Sequence, residues 1–351
     1  MGELPDNHRL LNARAPRCAA GGFTLVEMML ALALGLLIVA GALAVYAANR
    51  AVYQHQEAWA RLQENARLAF ELMARDGRQA GFMACLPVAA PLTNVLNSAT
   101  TYEWLFEQPV DGSEASGVSW SPALPSGFPV PYRGTDVLTL RGAQSSPQAR
   151  VSAQASTSAD VTLDNGSGFA SGDFVLLAAA DCSEGAIFQV SGVTAGAAPV
   201  ASLAHAAGAG SPGNASADLG ARYVGGLALK LTTYSYYVAA GSDGRPALYR
   251  RQGSAMPVEL IPGVDDLQVL YGLADGSNGD YASRYATAAV ISADADNWQK
   301  IVGLRVTMTL ESPDDGITDS AQAVTINGVS GSDRRLRRTF TATIAIRNRL
   351  P

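Results

Sequence analysis

Hydrophobic positions along the chain fall into three regimes. From Phe23 to Ala48 they are nearly continuous, broken by a single charged side chain, Glu27. A helix rising 1.5 Å per residue would make that run about 39 Å long, longer than the roughly 30 Å hydrocarbon core of a bilayer, so it can span a membrane. Past residue 50 the pattern turns amphipathic. Val52, Trp59, Leu62, Ala66, Ala69 and Met73 recur at spacings of three, four or seven, while Arg61, Glu64, Arg67, Glu71 and Arg75 fall elsewhere. No proline occurs between Pro16 and Pro87, so one helix is expected from about Phe23 to about Ala80, ended by Gly77 and Gly81 and then Pro87. Its apolar stripe must bury against something, and a downstream sheet is the expected partner. A coiled coil is the alternative, although the stripe is short and richer in Ala than in Leu.

The third regime is β-like. Residues 136–140 and 173–177 are short apolar runs bounded by Gly, and Leu227 to Val238 is a long one with Tyr234, Tyr236 and Tyr237 at its end. Gly241-Ser242-Asp243-Gly244-Arg245 then turns the chain into 247–250, a hairpin. Val302, Leu304, Val306, Met308 and Leu310 alternate with smaller or polar residues, as do Phe340, Ala342, Ile344 and Ile346, so both segments are expected as half-buried antiparallel strands. Residues 86–133 read as ordered loop, with Trp104 and Trp120 in satellite cores. Residues 191–222, rich in Ala, Gly, Ser and Asn, have too little bulk for a core and read as a loop or excursion. No fixed-period repeat is present.

Glu27 needs a reason. A carboxylate deep in lipid costs roughly 2 to 3 kcal/mol, less near the interface, so an intramembrane charge implies a role and a partner. Arg9, Arg14 and Arg17 lie upstream against Glu3 and Asp6, which places the N-terminus in the cytoplasm and the residues after about 50 across the membrane. The run is too long for the core of a cleaved secretory signal, and the small residues Ala19, Ala20, Gly21 and Gly22 precede it. That order fits a leader removed on the cytoplasmic side. Cys18 also precedes the run, whereas a lipoprotein cysteine follows one. A cut after Gly22 would give Phe23 a free α-amine within one helical turn of Glu27. The two could pair within one chain, or Glu27 could neutralise the terminus of a neighbouring helix and set the axial stagger of an assembly.

Gly22-Phe23-Thr24-Leu25-Val26-Glu27 resembles the class III signal of type IV pilins and type II secretion pseudopilins. The resemblance implies cleavage by a prepilin peptidase after Gly22, N-methylation of Phe23 and an assembly role for Glu27. Four further stretches resemble minor pilins of the PilW type: Arg78 to Cys85; Asp181-Cys182 leading to Ile187-Phe188-Gln189-Val190; Ile261 to Leu267 running on to Tyr271-Gly272; and Arg338 to Asn348. The likeness implies an α+β, pilin-like fold, with a long N-terminal helix on a mainly antiparallel sheet domain with long loops. It divides the chain into a leader (1–22), a transmembrane half-helix (23–50), an amphipathic half-helix (51–84) and a periplasmic β-rich domain (85–351). The implied protein is a non-enzymatic, single-pass inner-membrane subunit that helps prime pilus assembly and sits at or near the pilus tip. Its implied partners are other minor pilins, the major pilin, the inner-membrane assembly machinery and a tip adhesin. A minor pseudopilin of a type II secretion system is the alternative, and a membrane-anchored binding or enzymatic domain with a borrowed leader a further one.

Composition narrows the chemistry. Of the 351 residues only 16% are charged, and the formal charge of −6 gives no basic face for nucleic acid. After leader removal His55 and His205 remain, which speaks against a His-based triad or a His-ligated metal, and no nucleotide-binding or nucleophile motif occurs. No cofactor is expected. Asp275, Asn278 and Asp280, with Asp294, Asp296 and Asn297, offer oxygen ligands but lack the EF-hand pattern, so solvated acidic loops are expected. Arg334, Arg335, Arg337 and Arg338 read as the solvated start of a strand. The mature chain keeps Cys85 and Cys182, which in an oxidising periplasm are expected to form a disulfide if their Cα atoms come within about 7 Å; two buried free thiols are the alternative.

Overall fold

The structure, a computed structural model, describes residues 22–197, 199–208, 210–274 and 281–349. It separates into two compact units, residues 1–54 and 55–351. A 55-residue helix, Leu25–Gln79, contributes to both. In the first unit every described residue is exposed, Leu30, Leu36, Leu37 and Ile38 among them. Leu25–Gln79 is, among the described residues, the one helix long and apolar enough to cross a membrane.

The second unit begins with the last turns of this helix, where Ala58, Leu62, Ala66, Ala69 and Met73 are buried. Their partner is an antiparallel four-stranded sheet in the order Arg284–Ala286, Val264–Leu273, Ile301–Glu311, Arg337–Ala345. Leu304, Val306, Met308 and Leu310, at alternate positions of Ile301–Glu311, join the helix stripe in one core, so the period-2 and period-3.6 patterns meet on facing surfaces. Gly77 lies within the helix and does not end it. A Cβ there would stand 2.7 Å from Ile344 Cγ2, so the glycine permits close helix–sheet approach. Gly81, with φ 73°, lies two residues past the last helical residue, Gln79. Val52, placed on the stripe by spacing, is exposed.

A larger sheet is built around Val137–Ala153 and Leu227–Ala240, paired antiparallel. The expected hairpin forms between Leu227–Ala240 and Pro246–Gln252. Residues 86–133 are not all loop: they contain Leu92–Asn94, Val110–Ser116 and Ser119–Ser121, the first paired parallel with Gly185–Gln189. The expected loop at 191–222 also carries strands, Gly192–Ala195 and Ala201–Ala204, which pair with each other, the latter pairing also with Val161–Leu163. Small side chains cannot make a core alone, but here Leu203 and the 2%-exposed His205 sit against Phe188 and Leu163. A hairpin at Gln322–Ile326 and Val329–Asp333 was not expected, although its two-residue loop, Asn327 (φ 52°) and Gly328 (φ 76°), is the pair a type I′ turn demands. Trp104 and Trp120 pack on satellite clusters as expected. The whole is α+β, a long N-terminal helix with mainly antiparallel sheets.

Candidate functional site

At the head of the helix, Gly22 has no heavy atom within 4 Å of the place a Cβ would take, and Phe23 is 87% exposed. Thr24 caps the helix. Its Oγ1 accepts from the Glu27 backbone N–H at 3.2 Å, while Glu27 Oε2 accepts from the Thr24 backbone N–H at 3.0 Å and its hydroxyl at 3.1 Å. This is a reciprocal capping box, Thr at the cap and Glu three residues on. The carboxylate therefore has a partner in its own first turn, where the helix dipole also favours a negative charge. Sequence reasoning assigned Glu27 to an amine and overlooked the box, although the T-x-x-E spacing before an apolar run announces it.

At the other end of the helix two covalent or ionic ties reach the sheets. Cys85 and Cys182 are bonded, with Cα atoms 5.5 Å apart and a sequence separation of 97. Asp76 is 6% exposed. Its Oδ2 accepts from the Tyr236 hydroxyl at 2.5 Å and from Arg250 Nη1 at 3.3 Å. Burial, then the nearby Asp76 charge, pushes the Tyr236 phenol well above its ordinary range, so it stays a donor. Arg250 in turn lies over the Tyr234 ring at 4.6 Å. Nothing local marked Asp76, which the periodicity placed on neither face.

Two family models match the chain. Residues 17–43 match the prokaryotic N-terminal methylation motif, and residues 235–348 match the type IV pilus-assembly protein W family, PilW. The C-terminal third of the chain is thus similar to the PilW family, and its N-terminal segment to the methylation motif. A type IV-like pilin from Thermus thermophilus also matches at 11% identity and a TM-score of 0.32, over 83% of this chain and 98% of that one. No curated protein matches.

In the region matched by the PilW model, the basic cluster divides: Arg334 and Arg338 are exposed, as a solvated strand start would have them, while Arg335 and Arg337 are half-buried. Arg337 donates to Asp265 Oδ2, to Glu311 Oε2 at 2.6 Å and to Asp333 Oδ1 and Oδ2 at 2.6 and 2.8 Å. Glu311 is 2% exposed at its side chain, with Arg245 and Arg335 at 3.9 and 4.0 Å. Burial pushes its carboxyl up to about 7, the adjacent Asp265 adds to this, and the arginines oppose it. At Arg337 the departure from the solvated expectation is tertiary: three carboxylates from separate segments converge on one guanidinium. Among the described residues no group of three or more His, Cys, Asp or Glu side chains could hold a metal. Asp275, Asn278 and Asp280 lie outside the described residues, as do residues 1–21, Cys18 among them. His55 is exposed on the helix, and His205 Nε2 pairs with the Ala159 carbonyl at 3.0 Å.

Proposed function

We propose that this chain is a non-enzymatic minor pilin that helps prime type IV pilus assembly. The observation that carries the reading is the capped head of an exposed apolar helix, Thr24 and Glu27, in a chain whose C-terminal third matches the PilW family. A prepilin peptidase cuts between Gly22 and Phe23 and Phe23 is methylated. Residues 23–50 then anchor the chain in the bacterial inner membrane, residues 51–84 carry the helix on, and residues 85–351 stand in the periplasm. Glu27 leaves its bond with Thr24 to meet the terminal amine of a neighbouring helix, which sets the stagger between subunits. Other minor pilins, the major pilin, the inner-membrane machinery and a tip adhesin are the partners this role requires.

Deleting the gene should strip the cells of surface pili, counted by electron microscopy, and leave secretion of folded enzymes intact. The reverse pattern would assign the chain to a type II secretion system. Gly22→Val should leave full-length precursor in the inner membrane, because the branched side chain blocks the cut; normal processing on a mass spectrum would remove the proposed cleavage site.

A further inference from the structure

Among the described residues, Arg337–Ala345 ends its sheet: Ile301–Glu311 pairs with one edge, and no strand pairs with the other. The register runs without a bulge from Arg337 to Ala345. Other strands at sheet ends are shorter. Leu92–Asn94, Ser119–Ser121 and Arg284–Ala286 hold three residues each, Gly192–Ala195 four, and Val258–Pro262 five, ending on proline. A nine-residue edge with neither proline nor lysine is of the kind that folded proteins usually shorten, bulge or cover. The Ser312 N–H donates to the Leu336 carbonyl at 2.8 Å, and the Ile346 N–H to the Val302 carbonyl at 2.9 Å, so the even-numbered residues of the strand bond inward. The N–H and C=O groups of Thr339, Thr341 and Thr343 therefore point to the free edge.

The side chains of the strand define what fits beside it. On one face Thr339 and Thr341 are exposed and bond the Thr309 and Thr307 hydroxyls at 2.9 and 3.0 Å, a threonine ladder that a further strand would extend. On the other face Phe340 and Ala342 are only half-buried, with the Phe340 ring 6.2 Å from that of Trp59, so an apolar neighbour would complete their cover. Cations stand at both ends. Arg338 and Arg347 are exposed, and among the described residues neither has a carboxylate within ion-pair distance, unlike Arg335 and Arg337. These charges disfavour a second copy. Antiparallel pairing of two such edges about Thr341 brings Arg347 of each to the Arg334–Arg338 end of the other. Parallel pairing sets Arg338 beside Arg338 and Arg347 beside Arg347. Like charges across a strand pair are destabilising, whereas carboxylates at both ends of an added strand would be favoured.

We propose that the free edge of Arg337–Ala345 is a docking site for an extended segment of a different polypeptide, rich in Thr and Val through its middle and acidic at both ends. The segment adds to the sheet as an antiparallel strand, exchanging backbone hydrogen bonds with Thr339, Thr341 and Thr343 while its carboxylates meet Arg338 and Arg347. The edge and its charges are independent of the pilus role, so either can fail alone. The test uses the full chain in a zwitterionic detergent and a capped, fluorescein-labelled peptide, Asp-Val-Thr-Val-Thr-Val-Thr-Val-Glu, with a control peptide carrying lysine at both ends. Anisotropy should saturate with the acidic-ended peptide, at an affinity about fivefold or more above that of the control. Hydrogen–deuterium exchange across 337–345 should slow as it binds. Thr341→Pro removes an N–H that faces solvent, a position where an edge strand tolerates proline, so the chain should stay folded and lose the peptide. Arg338→Glu combined with Arg347→Glu, which leaves the backbone untouched, should reverse the preference toward the lysine-ended peptide. The proposal is overturned if neither peptide saturates, if the control binds as tightly, if exchange across 337–345 is unchanged, or if folded Thr341→Pro binds like wild type. It is equally overturned if the charge reversal leaves the preference as it was, or if the chain alone sediments as a dimer that Thr341→Pro abolishes, which would make a second copy the occupant.

Discussion

Single side chains in this protein answer to close neighbours, and two of them give opposite lessons. Gly77 sits where alanine should help, since Gly in a helix interior costs about 1 kcal/mol relative to Ala. Yet an added Cβ would meet Ile344 Cγ2 at 2.7 Å, and overpacking a core costs about 1 to 3 kcal/mol. Gly77→Ala should therefore lower the melting temperature, by roughly 2 to 6 °C for a unit of this size; a rise in a calorimetric scan would show that Ile344 moves aside freely. Asp136 is 4% exposed, accepts the backbone N–H groups of Ala115 and Val269 at 2.9 Å each, and has its carboxyl pushed up to about 6. Burial is the main cause, the two N–H bonds oppose it, and Glu114 and Asp266 add to it. A folded value above the unfolded value of about 3.9 means that the native state holds this proton more tightly. The stability it contributes is complete below about pH 4 and is lost as pH rises through about 6. The melting-temperature gap between wild type and Asp136→Asn should accordingly narrow from pH 4.5 to pH 7. A constant or widening gap would contradict the assigned shift.

The end of the helix is tied to the sheets by two devices of different strength. Asp76 bonds Tyr236 and Arg250, and removing a buried ion-pair partner leaves the other charge without compensation. Arg250 is 31% exposed at its side chain, so solvent takes up part of that cost, and Asp76→Ala should destabilise by about 2 kcal/mol. A urea titration in which Asp76→Ala matches wild type would mean that Tyr236 and Arg250 find water or each other. The Cys85–Cys182 bond joins residues at a sequence separation of 97, for which the chain-entropy relation gives about 4 to 5 kcal/mol. Replacing both cysteines by serine should shift the urea midpoint more than Asp76→Ala does. If the two shifts are equal or reversed, the unfolded chain is already compact near these cysteines.

Across the whole chain, burial is divided by position along one helix: none in residues 25–54, then a regular stripe from Ala58 to Met73. The first part is matched to lipid or to other helices, and Glu27 is its one charged group before Arg50. Glu27→Val removes a lipid burial cost of up to roughly 2 to 3 kcal/mol, so the variant should insert and be processed as well as wild type. Pilus number should nevertheless fall, because the neighbouring amine loses its partner. Wild-type piliation in cells carrying Glu27→Val would end the assembly role. A processing defect would instead move the role of Glu27 to the peptidase.

Much of this was legible in the chain itself, because periodicity encodes which side of an element is buried. The apolar run with Glu27, the stripe from Trp59 to Met73, the alternation in 302–310 and the Gly241–Arg245 turn all identify elements from local pattern. The capping box and the Asn327-Gly328 turn were equally local and equally readable. What no local pattern holds is the identity of distant partners. Asp76 meets Tyr236 and Arg250 across separations of 160 and 174 residues, and Arg337 gathers Asp265 from 72 residues away. The strands at Gly192–Ala195 and Ala201–Ala204 exist because neighbours supply the bulk that their own small side chains lack. One edge of Leu227–Ala240 is divided between Phe174–Ala178 and Pro246–Gln252, which leaves Thr232 and Thr233 between the two partners. Such features depend on register and on closure of long loops, so they are decided only when the sheets assemble.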